Sequence, residues 1–388
     1  MEYARQAGIV KIKILPSSSE LFDTNIGIKD IKDIEAKDLL GRQEIKIDVK
    51  SINSYLANKI ILVTGAAGSI GSELCRQIMK YSTKLIILLD HDETGVFNLH
   101  NELREKFPHL EAIPLVGNIR DEDKIEAVFS RFKPQVIFHA AAYKHLPMME
   151  SFPEEAIKTN IIGTWVVAEA ALRHESERFI LISTDKAVNP TSVMGVTKRI
   201  AELIINQYKQ KSKTKFLAVR FGNVLESRGN MFQIFMQEIR ERKAVTITHP
   251  GMKRYIITIS EAVILVLHAA AADEGDIFTL DMGKMVNVVE FAKELIRLCG
   301  YEPDKDIPIV FTGIRPGEKM FEEYISTQED TINTKYSKVF AVKSRPLALE
   351  SEAFFNYLQK LKELTEGDLS KDKIRQALKE IVPDFSLK

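Results

Sequence analysis

A doubly wound α/β fold, meaning a parallel sheet with helices on both faces, is what this 388-residue sequence predicts. Three observations lead there. Short, continuously apolar runs alternate with amphipathic stretches from residue 59 to about 222, and strands that uniformly apolar belong to sheets buried on both faces. A glycine-rich turn follows the first run and opens a helix, the arrangement of a nucleotide phosphate site. An aspartate closes the second run, where such folds place a ribose ligand.

The elements follow in order. Residues 1–58 read as an N-terminal extension or linker. "GIVKIKIL" and "EIKIDV" alternate apolar and charged residues as half-exposed strands do, and Ser19 in "PSSSE" suits a helix cap. Strands are predicted at 59–65, 84–90, 111–117, 135–142, 178–184 and 215–222. Helices are predicted near 70–80, 94–107, 121–132, 154–174 and 195–210. Residues 59–222 therefore form a Rossmann-type domain. Beyond it the alternation loosens. Strands at 244–248, 277–283 and 307–313 and helices at 260–272 and 288–299 predict a smaller C-terminal α/β lobe over 223–345, some segments of which return to the first domain. Residues 346–388 read as a charged helical tail.

Composition narrows the function classes. Lys plus Arg equals Asp plus Glu, 54 each, so global charge gives no reason to expect nucleic acid. Cys75 and Cys299 stand far apart without CxxC spacing. A disulfide framework or metal site is not expected, and a reducing, cytoplasmic setting fits. The longest apolar stretch, "AVILVLHAAAA" at 262–272, falls short of the roughly 18 residues of a membrane span and reads as a buried helix. The first residues carry no apolar core of a signal peptide.

"VTGAAGSIGSEL" spaces its glycines Gly65-x-x-Gly68-x-x-Gly71. Gly65 permits the sharp turn, Gly68 lets backbone approach a pyrophosphate, and Gly71 lets helix and strand pack closely. Ser69 adds a hydroxyl, and the backbone of Ser69 and Ile70 opens the helix N-terminus to an anion. Asp90 is placed to accept from both adenosine ribose hydroxyls and to repel a 2′-phosphate. The His91-Asp92-Glu93 that follows offers no arginine to welcome one, which favours NAD over NADP. Asp92 suits a helix cap better than Asp90 does. Asn118 and Ile119 in "GNIRD" are candidates for the edge and face of adenine, or simply end a strand.

"TGAAGSIG", "HAAAYKHLPMME", "TNIIGT", "STDKAVNPTSVMGVTKR", "VRFGNVLESRG" and "GIRPGEKMFEE" occur in this order over residues 59–330. Together they resemble the extended short-chain dehydrogenase/reductase family. Within it they resemble the bacterial nucleotide-sugar 4,6-dehydratases of polysaccharide and glycan biosynthesis, in the branch acting on UDP-N-acetylglucosamine. The resemblance implies an internal redox cycle on a UDP-N-acetylhexosamine. C4 is oxidised, water is eliminated across C5–C6, C6 is reduced, and a tightly bound NAD is recycled. It also implies a homo-oligomer, and a substrate-binding role for the C-terminal lobe. The segment before residue 59 resembles the one preceding the catalytic domain in long, membrane-anchored members, so the parent protein is expected to be anchored with this part on the cytoplasmic side.

By the same resemblance Thr184 binds the C4 oxygen, Asp185 protonates the leaving C6 hydroxyl, and Lys186 removes the C5 proton. A lysine base must be neutral, so burial and nearby positive charge are expected to lower its pKa. Lys198 would bind the nicotinamide ribose. Four residues earlier the family's tyrosine is replaced by Met194, a thioether with no proton to give, as in the long branch. The C4 hydroxyl proton then leaves through water, Asp185 or Thr184. Ala140, Ala141 and Ala142 permit close approach of the cofactor, and Lys144 reaches the substrate or nicotinamide side. His145 is either a substrate contact or a solvated loop residue. Asn223, Arg228, Arg254, Arg315 and Glu318 are the candidates for the nucleotide diphosphate and ribose, guanidinium groups being suited to diphosphates. A 5-inverting dehydratase or a 4-epimerase would retain the tyrosine. A silent NAD-binding sensor would not need an intact "STDK".

Overall fold

Nine strands make the central sheet of the computed structural model, which describes residues 13–14, 32–33, 45–209, 212–327, 329–343, 350–367 and 370–386. In the extension, Lys13–Ile14 (β1) pairs antiparallel with Lys32–Asp33 (β2). The predicted cap at Ser19 lies outside the described residues. "EIKIDV" does not form the predicted strand. Asp48 instead caps helix α1 (Val49–Leu56), its carboxylate accepting from the Ser51 N–H, and its own N–H donates to His268 Nε2. A capping aspartate outweighs four residues of alternation.

The sheet then builds as predicted, with β3 (Ile60–Thr64), β4 (Leu85–Asp90), β5 (Ala112–Val116), β6 (Val136–His139), β7 (Arg178–Ile182) and β8 (Lys215–Arg220) all parallel. The helices between them are α2 (Ser69–Ile78), α3 (Glu93–Lys106) and α4 (Glu122–Phe132). Next come α5 (Leu146–Ser151), α6 (Pro153–Ala156), a π-helical turn (Ile157–Gly163), α7 (Thr164–Arg173) and α8 (Val193–Lys209). β3, β4 and the middle of β7 are nearly wholly buried, as parallel strands covered on both faces must be.

The C-terminal part divides between two places. β9 (Asn223–Val224), α9 (Met231–Arg240), β10 (Val245–Ile247), β11 (Lys253–Arg254) and β12 (Ile256–Ile257) follow the sixth strand. Helix α10 (Ile259–Ala271) is the buried helix read from its apolar run. β13 (Ile277–Leu280) joins the central sheet parallel to β8. β14 (Val286–Asn287) pairs with β11, and β15 (Ile309–Phe311) pairs with β10. Helix α11 (Val288–Leu298) packs with α9 over a separate small core that includes Phe235, Ile239, Phe291 and Leu295. β16 (Asp330–Asn333) and β17 (Val339–Lys343) extend the sheet antiparallel beyond β13. The order is β16-β17-β13-β8-β7-β6-β3-β4-β5.

Helices α12 (Ser351–Glu366) and α13 (Lys371–Ile381) pack against the π-helical turn, α6 and α8. Phe354, Leu358, Leu361, Ile374, Leu378 and Ile381 are buried in the same core as the sheet. Among the described residues, no helix is long and apolar enough to cross a membrane.

Candidate active site

Gly65 leaves β3 with φ +68°, and a Cβ on it would meet the Ala141 nitrogen at 2.5 Å. A Cβ on Gly71 would lie 2.0 Å from the Gly65 carbonyl oxygen. Both glycines are therefore fixed by close backbone approach. Gly68 is the N-cap of α2 and offers no side-chain bond to the helix, so the N–H groups opening at Ser69 suit an anion.

Asp90 ends β4 with one carboxylate oxygen accepting from the Ala67 N–H at 2.9 Å and the other from the Asp92 N–H at 3.1 Å. Asp92 caps α3 through the Gly95 N–H, as its position predicts. Asp90, Asn118, Ile119, Arg120, Thr159 and Arg228 line a cavity of about 390 Å³ that continues from the phosphate loop. A Cβ on Gly163 would come within 2.5 Å of the Ile119 side chain, so the "TNIIGT" glycine makes room for the cavity floor. Asn160 of the same motif accepts from the Tyr143 N–H and donates to Tyr143 O and Thr197 Oγ1, which ties the loop after β6 to α8. These features suit a dinucleotide: a glycine cradle, uncapped N–H groups and a ribose-side carboxylate.

Two arginines enter this groove that the local sequence did not place there. The Arg120 guanidinium donates to Thr159 Oγ1 and lies 5.5 Å from the Tyr143 ring centroid. Arg228 was expected at the sugar-nucleotide end alone. Its backbone N–H donates to Ser69 Oγ at 3.0 Å, its guanidinium lies 3.5 Å from Asp92, and it lines both cavities. The loop after β9 crosses the phosphate loop, so Arg228 faces both.

The second cavity, about 680 Å³, opens at the carboxyl edge of the sheet. Thr184, Lys186, Met194 and Lys198 line it from the first domain, and Asn223, Arg254, Arg315 and Glu318 from the other side. Lys144 and His145 complete the wall, with the Lys144 ammonium 3.3 Å from Ser227 Oγ. Burial lowers the pKa of both, and Lys144 adds to the effect on His145. His145 is exposed, with its ring against Gly229.

Met194 is the second residue of α8. A Cβ on Gly195 would lie 2.4 Å from Lys186 O, so only glycine lets the helix start against the "STDK" turn. One helical turn on, Lys198 is 5% exposed. Burial lowers its pKa to about 8, against the opposing pull of Glu202. Behind it His139 bridges Thr64 Oγ1 and Thr164 Oγ1 at 2.8 and 2.9 Å. Burial and the Lys198 charge hold that ring neutral, its pKa lowered to about 3.

Asp185 lies just beneath the cavity wall. Its Oδ1 accepts from Thr184 Oγ1 at 2.9 Å and from Lys186 Nζ at 3.0 Å. A Cβ on Gly222 would sit 2.9 Å from Oδ2, so the glycine of "VRFGN" leaves room for this carboxyl. Burial, reinforced by Glu322, raises the Asp185 pKa despite Lys186. The expected lowering of Lys186 is not found. Burial does depress it, but the Asp185 and Glu322 carboxylates override burial and hold its pKa above the ordinary value.

Asn223 and Arg254, expected on a diphosphate, are engaged internally. Asn223 Oδ1 accepts from Lys186 Nζ at 3.0 Å. Arg254 is ion-paired to Glu318 at 3.1 Å and donates to the Lys253 and Met320 carbonyls. Arg315 is exposed, its N–H donating to Glu318. The sequence reading missed Glu322, and it missed the Ser183–Glu202–Arg220–Glu329 network that braces the end of β7 from below. No spacing rule singles out Glu322 from its neighbour Glu323. A buried arginine in an apolar strand, Arg220, does signal a partner.

A family model described as polysaccharide biosynthesis protein matches residues 61–344. A capsular polysaccharide biosynthesis protein, CapD, of Staphylococcus aureus is 46% identical over 334 residues, 85% of this chain and 56% of its own length. A probable polysaccharide biosynthesis protein, EpsC, of Bacillus subtilis is 46% identical over 364 residues, 93% of this chain and 60% of its own. The chain thus spans little more than half the length of these relatives. Among solved structures, Pen from Bacillus thuringiensis matches with a TM-score of 0.67 at 29% identity, covering 79% of this chain and 98% of that one.

Proposed function

The chain belongs to the polysaccharide biosynthesis protein family, within the extended short-chain dehydrogenase/reductases, and on that footing we propose that it is an NAD-dependent nucleotide-sugar 4,6-dehydratase. Its substrate is UDP-N-acetylglucosamine, and its product is the 4-keto-6-deoxy sugar nucleotide with the C5 configuration kept. One observation carries the reading. Thr184 and Lys186 line, with Lys198, a cavity at the carboxyl edge of the sheet, where the tyrosine of the short-chain dehydrogenases gives way to Met194, and Asp185 lies just beneath its wall, hydrogen-bonded to Thr184 and Lys186.

The dinucleotide would be held by Gly65, Gly68, the N–H groups from Ser69 onward, Asp90 and Lys198, and would take hydride from C4 and return it to C6. The protein's own groups do the rest. Thr184 hydrogen-bonds the C4 oxygen. Asp185, whose buried carboxyl favours the protonated form, gives its proton to the C6 oxygen, so that the C6–O bond breaks with release of water. Lys186 takes the C5 proton and must be neutral to do so. Because its two carboxylate neighbours favour the ammonium, the ligand-bound site has to shift that balance, and positive charge at an oxidised nicotinamide acts in that direction. Lys198 needs only a cation and donors, which Met194 does not disturb.

The reading is tested by incubating the protein with NAD and UDP-N-acetylglucosamine and following the sugar by proton NMR. Loss of the C6 hydroxymethyl signals and growth of a C6 methyl signal are expected. Formation of the 4-epimer, or an unchanged sugar with NAD bound, contradicts it.

A further inference from the structure

Lys186 has two carboxylates for one ammonium. Asp185 Oδ1 lies 3.0 Å and Glu322 Oε1 3.1 Å from its Nζ. Both acids are almost wholly buried, and each keeps one oxygen, Asp185 Oδ2 and Glu322 Oε2, without a hydrogen-bond partner. Two buried carboxylates sharing a cation do not both ionise cheaply, so one is the better place for the proton. The surroundings decide which. Glu322 has a second cation in Arg254, whose Nε lies 4.0 Å away, and a third in Lys319 of its own segment. Asp185 hydrogen-bonds to Lys186 and to the neutral Thr184 hydroxyl.

We propose that Glu322 is a positioning residue of the acid–base cluster: its carboxylate takes the Lys186 charge and leaves the proton on Asp185. The chemical purpose rests on the dehydratase reading above, in which a protonated Asp185 is the group that lets the C6 hydroxyl leave. The directions of titration agree. Burial, opposed by Lys186 and the Thr184 hydroxyl and reinforced by the Glu322 charge, raises Asp185, while Lys186, Arg254 and Lys319 together overcome burial and lower Glu322. Every charged or titratable group facing the cluster belongs in this balance. Arg254 comes from β11, held by Glu318. Tyr255 follows it and faces Asp185. Lys319 and Glu323 come from the segment of Glu322 itself. β9 contributes only the neutral Asn223.

The adjacent Glu323 serves as an internal contrast. It is exposed and accepts from Asn189, so position in the sequence does not confer the role. Burial against Lys186 does.

Removing the charge at 322 forces Asp185 to neutralise Lys186 alone, and Asp185 then gives up its proton at lower pH. Glu322→Gln keeps the shape of the side chain, and Glu322→Asp keeps its charge and guards against a folding failure of the first variant. The first readout is infrared spectroscopy of the NAD-loaded protein at pH 7. Wild type is expected to show a protonated-carboxyl band that Asp185→Asn removes. The same band should vanish in Glu322→Gln and persist in Glu322→Asp. The second readout is the pH dependence of kcat/KM. The high-pH limb, where the acid loses its proton, should move about one unit or more toward acid in Glu322→Gln, and much less in Glu322→Asp. A purely structural role would lower kcat without moving the limb. A band that survives in Glu322→Gln, its absence from wild type, or an unmoved limb overturns the proposal. If wild type forms no 4-keto-6-deoxy product, the dehydratase reading fails by itself, and the infrared bands still decide the role of Glu322.

Discussion

Lys198 is an ammonium buried in a protein wall, and its site has a measurable cost. Its pKa falls from 10.5 to about 8, through burial opposed by Glu202. Between those two values the unfolded chain binds more protons than the folded one, so stability rises with pH across that window. Below it the buried charge costs about 3 kcal/mol at roughly 1.4 kcal/mol per pH unit. Lys198→Met is therefore expected to melt at a higher temperature than wild type at pH 7 in the cofactor-free protein, with the gain shrinking toward pH 10. Thermal melts across that range check it, and a variant no more stable than wild type at pH 7 contradicts it. On the proposed reading, a cofactor-binding cation is retained here against the fold's own preference. At this scale the sequence exposed the groups whose chemistry lies in short motifs: Gly65, Gly68, Gly71, Asp90, Asp185, Lys186, Lys198. It did not expose Glu322 or the role of Gly222, because both depend on contacts between segments far apart in the chain. The direction of the Lys186 pKa follows from such contacts only in part. Reasoning from burial and cations leaves out two carboxylates, the adjacent Asp185 and the distant Glu322.

Elements bring these side chains together by a few close approaches. Helix α8 can start against the "STDK" turn only because position 195 is glycine, and the π-helical turn places Asn160 across the loop after β6 and Thr197 of α8. Extra width in such turns is common at functional sites. Behind this frame stand α12 and α13, which a reading by composition takes for a charged tail. Most of their charges are exposed, Arg375 pairs with Glu150, and their apolar stripe is core. Leu358→Ala, at a fully buried position, is expected to cost 2–5 kcal/mol, measurable by urea denaturation. A change under about 1 kcal/mol would mean that α12 is not part of the cooperative unit. The strands of the parallel sheet were legible because each is a continuous apolar run. β16 was not, since all four of its residues are exposed and only pairing with β17 defines it. Helix α9, absent from the predicted elements, does carry a signal in the sequence. Asn230 caps it, and apolar residues recur at 231, 232, 235, 236 and 239.

At the scale of the whole molecule, the candidate site is a seam. The sheet's carboxyl edge supplies the phosphate loop, the acid–base turn and Lys198. The C-terminal part supplies Arg254, Arg315, Glu318 and Glu322, and Arg228 crosses back to hydrogen-bond Ser69. On the proposed reading such a crossing would restrain a dinucleotide from both sides, as a recycled cofactor requires, and this bridging is invisible in a motif read one segment at a time. The most direct measurement is NMR of the reaction in deuterated water with substrate labelled at C4. The account predicts that the C4 label is recovered at C6 of a 4-keto-6-deoxy product, with solvent deuterium at C5 and the C5 configuration unchanged. Lys186→Ala should bind NAD as wild type does and give no elimination. A product inverted at C4 or C5, a C6 methyl without the C4 label, or elimination undiminished in Lys186→Ala would contradict it.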